Sequence, residues 1–211
     1  MDEGAVPEHC AGRRVSVHYG LKLNTMLRSY GGESVGKMGK YNLDRLGWKS
    51  FQDMTATIMH QIVGVTYVPF GRGKDGGRDG FFQGTITGGI VGSTSDLSGK
   101  VVFQCKHTSN PGNLQVSLLD GEIPKVKELV RQEELDCYVI VTNYRVSAIV
   151  QAKVRRRFVE QGNVGVCEIF DEEWIERTIE ANPILRRLVP TLYGVGDLTK
   201  IIDSRVLYGR H

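Results

Sequence analysis

The chain has no CxxC unit: its four cysteines, Cys10, Cys105, Cys137 and Cys167, are scattered along 211 residues. That spacing excludes a zinc ribbon, and because three of the four lie inside apolar runs, buried free thiols in a reducing compartment are expected. No apolar run approaches the roughly 20 residues of a membrane span. The start, MDEGAVPEHCAG, lacks the basic and apolar regions of a secretory signal. A soluble, cytoplasmic protein is therefore expected. Aromatic residues make up only 8% and form no cluster, so there is no stacking platform for single-stranded nucleic acid. No Ser/His/Asp or Cys/His constellation stands out. Neither sign of charge dominates: 27 Lys and Arg against 24 Asp and Glu give +3, which suits a nucleic-acid partner without requiring one.

What is present suffices for one domain, since 40% of the residues are hydrophobic. Residues 1–40 are rich in Gly and Ser and read as a poorly ordered lead-in. Their GGESVGKMGK lacks the Ser or Thr that a phosphate loop carries after its lysine, Met38 standing there instead. From Ser50 the run SFQDMTATIMHQIVG places Phe51, Met54, Ile58 and Ile62 at helical spacing, with Ser50 or Asp53 as a cap, Gly64 as the stop and Trp48 as a staple. VTYVPF and RDGFFQGTIT read as the two strands of a hairpin around GRGKDGG, and GGIVGSTSDLSGK as a loop. VVFQCKHT reads as a central strand, and a helix comes next from Pro124. DCYVIVTN is the strongest strand signal; SAIVQAKVRRRFVEQG, VGVCEIF and DEEWIERTIEANPILRRLV then read as helix, strand and helix. That alternation predicts an α/β sandwich around a mixed sheet, with 41–180 as the domain and 181–211 as a C-terminal helix and linker. IIDSRVLYG near the end reads as a helix cut short, so a fragment of a longer protein is expected.

The densest chemistry lies between Gly71 and Thr108. Asp79 sits among Gly76, Gly77 and Gly80, where backbone or substrate can approach an acid closely. Strand alternation puts Gln104 and Lys106 on one face and Phe103 and Cys105 on the other. An acid facing an amide oxygen and a lysine suits a magnesium or manganese ion, which takes oxygen ligands and keeps waters. Asp79 would anchor the metal, with the Gln104 amide and the Cys105 backbone carbonyl as further oxygens, and Lys106 would orient a water and offset developing charge. An isolated D…QxK pattern is also common by chance, and then Asp79 is only a turn residue.

KDGGRDG and, after it, VVFQCKH resemble the core of Mrr-type restriction-endonuclease-like nucleases, a branch of the PD-(D/E)XK superfamily in which Gln replaces the usual acidic ligand. The resemblance implies a restriction-endonuclease-like sandwich and hydrolysis of double-stranded DNA. It makes Asp79 the metal-binding acid, Gln104 the substituted ligand and Lys106 the catalytic lysine. SFQDMTATIMHQIVG is similar to the family's first helix, where a Glu often adds a ligand through water; Gln52 stands there, with Asp53 beside it, and the choice stays open. Asp75 corresponds to the first acid of the DGG and shapes the turn. NPILRRLVPTLYGVGDLTKIIDSR resembles the segment C-terminal to such nucleases at the head of bacterial antiviral STAND NTPases of the AVAST kind. That implies an antiphage effector activated by oligomerisation through a downstream NTPase or sensor region, with no membrane and no small-molecule cofactor.

Arg155, Arg156 and Arg157 are successive and so spread around a helix; they read as a solvated face or as phosphate contacts. Lys125 and Lys127 read in the same two ways, and the resemblance, in which polar residues of the helix after the catalytic strand lie near the metal, implies Gln115 and Lys125 as further candidates there. His60 reads as a satisfied helix histidine, and His107 as structural or water-linked. Two other functions stay in view: a non-catalytic DNA- or protein-binding module on the same fold, and a free-standing restriction or repair nuclease.

Overall fold

The computed structural model describes residues 41–70, 78–88, 92, 96–110 and 112–192. Cys10, the lead-in 1–40, Asp75, Gly76, Gly77 and the tail from 193 lie outside the described residues. Helix α1 spans Trp48–Val63, and Gly64 closes it at φ 77°, where a side chain would be strained. Strands β1 (Val68–Pro69), β2 (Gly80–Ile86) and β3 (Leu97–Lys106) come next. After a 3-10 segment at Val116–Glu122 come α2 (Ile123–Arg131), β4 (Cys137–Thr142), α3 (Ala148–Gly162), β5 (Val166–Phe170), α4 (Glu172–Ala181) and α5 (Pro183–Leu192).

The strands form one mixed sheet in sequence order, antiparallel from β1 to β3 and parallel from β3 to β5. β3 is its middle strand, and β4 is buried at every residue, as their apolar runs predict. Side-chain alternation divides two cores. Val101, Phe103, Val139 and Val141 face Phe51, Met54, Ile58 and Met59 of α1, together with Ile175 and Ile179 of α4. Val102, Tyr138, Ile140 and Ile169 face Val126 and Leu129 of α2 and Val154 and Phe158 of α3. The architecture is α/β, a five-stranded sheet between helical layers.

Several elements differ from the sequence expectations. The helix begins at Trp48 with Gly47 before it and no side-chain cap, so neither Ser50 nor Asp53 caps it; both lie inside the first turns. Trp48 is 56% exposed and therefore is no staple. Only Val68–Pro69 of VTYVPF is strand, because Gly64–Thr66 winds into a 3-10 turn. β3 starts four residues before Val101, at Leu97, since LSGK pairs with β2 from Leu97↔Ile86 onward.

The last predicted helix is two. Pro183 disfavours helical backbone at Asn182, which is extended at φ −116° and ψ 108°. The Asn182 side chain then caps the next helix, accepting from the Ile184 and Leu185 amides at 2.9 and 3.3 Å. α5, inside the stretch assigned to a C-terminal helix and linker, folds back so that Leu185 is buried in the core shared with α1.

Among the described residues no helix is long and apolar enough to cross a membrane. Cys105, Cys137 and Cys167 are free thiols, the last two buried.

Asn182→Ala should lower stability by about 1 kcal/mol through loss of the cap, read as a shifted urea midpoint with unchanged slope.

Candidate functional site

The site forms where β2 leaves β3. Asp79, just before β2, is paired on both sides by its backbone: its amide donates to Phe103 O at 2.8 Å, and its carbonyl accepts from the Phe70 amide at 3.1 Å. The next amide on that edge of β3, Cys105 N–H, donates to Asp79 Oδ2 at 2.7 Å. The acid's side chain thus continues the ladder after the backbone has turned away. Gly80 makes this possible, because a Cβ there would lie 1.9 Å from the buried Tyr67 hydroxyl.

Two side-chain amides also meet the acid. Gln104 Nε2 donates to Asp79 Oδ2 at 2.6 Å and reaches Cys105 O at 3.3 Å, while Gln52 Nε2 from α1 donates to Asp79 Oδ1. Of the two first-helix candidates, Gln52 turns to the acid, and Asp53, one position further round the helix, pairs with Lys49 at 2.5 Å on the surface. Gln104 Oε1 is buried with no hydrogen-bond partner. The Cys105 thiol is pushed up to about 12, first by burial and then by Asp79, so it is inert as a nucleophile at neutral pH.

Lys106 shares the Gln104 face, as strand alternation requires, and meets Glu122 at 2.5 Å. Glu122 is 4% exposed and also binds Lys125 at 3.0 Å, with the Tyr138 hydroxyl donating from 3.5 Å. Burial pushes its carboxyl up, but the hydrogen bonds from Lys106 and Lys125 outweigh that and hold it below the usual glutamate range. The end of β3 is pinned to β4: Thr142 Oγ1 donates to Lys106 O at 2.6 Å, and the buried Asn143 amide brackets Thr108, accepting from its N–H at 2.9 Å and donating to its carbonyl at 2.8 Å.

Glu122 was missed by sequence reasoning, although a signal exists. Leu119, Glu122, Val126 and Leu129 recur at the spacing of a buried helical face, and a carboxylate in that series needs a cation.

The other candidates fall elsewhere. Arg155 is committed to the buried Glu168 of β5, and Arg157 to Asp120 at 2.9 Å. Arg156 is exposed and lines a shallow cleft with Lys153 and Arg157; Gln115 and Lys127 are also exposed. His60 and His107 each bond a backbone carbonyl, of Tyr67 and Leu43 respectively, both at 3.0 Å.

Among the described residues no group of three or more His, Cys, Asp or Glu side chains is arranged to hold a metal. Any ion here would rest on Asp79, an amide oxygen and a backbone carbonyl. No protein-family model matches the chain, and no curated protein or solved structure is significantly similar to it.

Gly80→Ala should destabilise the fold by roughly 1–3 kcal/mol through overpacking against Tyr67, measured by urea denaturation. For Glu122, the folded carboxyl lies below its unfolded value, so its stabilisation is full above about pH 4.3 and lost as pH falls through the folded value. Glu122→Gln should therefore flatten the acid limb of a urea-midpoint against pH profile.

Proposed function

We propose that the chain is a metal-dependent endonuclease domain of restriction-endonuclease-like fold that cuts double-stranded DNA. The observation that carries this reading is the convergence of Asp79, Gln104, Cys105 O and the flanking Gln52 at the strand end that bears Lys106. A mixed sheet in which the acid precedes one strand and the lysine ends its central neighbour is the arrangement that the motif resemblance implies.

The donor set fits magnesium or manganese. Gln104 Nε2 contacts both Asp79 Oδ2 and Cys105 O, and its own Oε1 lacks a partner. Turning the amide over would present Oε1 beside those two oxygens, an arrangement that a cation stabilises and that is repulsive without one. Bound there, the ion would polarise a phosphodiester and favour a deprotonated water.

The chain's own residues do the rest. Gln52 holds the second Asp79 oxygen and fixes the carboxylate plane. Lys106 places an ammonium beside the phosphate to offset charge that develops on it. Thr142 and Asn143 fix the strand end that carries this lysine. The chain's role as an antiphage effector, switched on when a downstream NTPase or sensor region assembles copies, belongs to the same proposal; paired domains would cut both strands.

The single carboxylate favours one rival, a DNA-binding module without chemistry on the same fold. Plasmid cleavage separates the two. With Mg²⁺ or Mn²⁺ the wild type should nick or linearise supercoiled DNA, EDTA should abolish this, and Asp79→Ala and Lys106→Ala should each lose at least about 10²-fold. Equal behaviour of wild type and both variants would sink the nuclease reading.

A further inference from the structure

Glu122 is the point on which two lysines converge. Lys106 Nζ lies 2.5 Å and Lys125 Nζ 3.0 Å from its Oε1, and Lys125 also lies 3.2 Å from Oε2. The carboxylate is 5% exposed at the side chain, against 28% for Lys106 and 46% for Lys125. A buried anion therefore sits beneath two ammonium groups that reach the surface. One cation would neutralise it, so the second is surplus to the pair and leaves the cluster with a net positive charge facing solvent. Each ammonium carries three donors, so Glu122 leaves N–H groups on both lysines for another acceptor. The carboxylate itself is firmly placed. Tyr138, whose hydroxyl burial holds neutral, donates to it, and α2 begins directly after it with the positive end of its dipole.

We propose that Lys106, Glu122 and Lys125 form a phosphate fork: Glu122 is a positioning residue that sets both ammonium groups, Lys125 grips the DNA backbone, and Lys106 faces the phosphate held beside Asp79. The fork rests on the nuclease reading and adds to it a substrate contact and a residue acting through Lys106. A lysine ammonium is a flexible point charge, and a shared buried carboxylate gives two of them the fixed separation that an arginine fork has by itself. Removing Glu122 takes away placement while raising local positive charge. Catalysis and binding should then move in opposite directions, which loss of a merely structural ion pair would not produce.

The test uses E122Q, Lys125→Met, Lys106→Met and Asp79→Ala, with binding to duplex DNA measured in Ca²⁺ and cleavage in Mg²⁺. E122Q should lower kcat on the order of 10²-fold, as misplacement of a reacting group does, while Kd for the duplex stays equal or tightens. Lys125→Met, at an exposed position, should weaken Kd and reduce the slope of log K against log salt by about 0.9, one phosphate contact. E122Q in a Lys106→Met background should cost nothing further. The fork is wrong if E122Q cleaves like wild type while Asp79→Ala is dead, or if Lys125→Met leaves Kd and salt slope unchanged. Should E122Q fail to fold, Lys125→Met decides alone. If Asp79→Ala cleaves like wild type, it is the nuclease reading that fails, and the binding measurements still decide whether the lysines grip phosphate.

Discussion

One hydrogen bond organises the candidate site of this molecule: the Cys105 amide on the Asp79 carboxylate. A strand edge must satisfy every buried N–H, and where β2 turns away from β3 the neighbouring backbone no longer supplies an acceptor. A side-chain oxygen takes over that duty. The acid is thereby fixed against the strand that carries Gln104 and Lys106, so register places the three groups together instead of loop geometry. Gly80 and Tyr67 serve the same constraint, since the bare glycine lets a buried aromatic ring close over the departure point.

Around that bond the charges are arranged economically. Among the described residues, two side-chain amides and one backbone amide donate to Asp79, while Lys106 and Lys125 meet on Glu122.

Much of this was legible in the sequence. The alternation along VVFQCKHT fixed which face Gln104 and Lys106 share, because period two is imposed by the pleat and survives any tertiary detail. The apolar runs of β3 and β4 announced central strands for the same reason. What escaped depended on pairing over distance. Gln52 and Asp53 are adjacent and alike in polarity, and only the docking angle of α1 on the sheet selects one. Glu122 looked like one more acid in a polar stretch, although its place in the 119, 122, 126, 129 series marked it. The break at Asn182–Pro183 was readable from the proline and was overrun by an otherwise continuous apolar pattern. The earlier start of α1 was hidden because glycine offers no side-chain signal at a cap.

That break also ties distant parts together. The chain reverses at Asn182, laying α5 back along α1, and Leu185, Leu188 and Val189 line one groove with Met54 and Ile58. The same rod bears Gln52 on its first turns, with the amide on Asp79 Oδ1. One helix thus carries both the seat of the C-terminal helix and the amide that meets the acid.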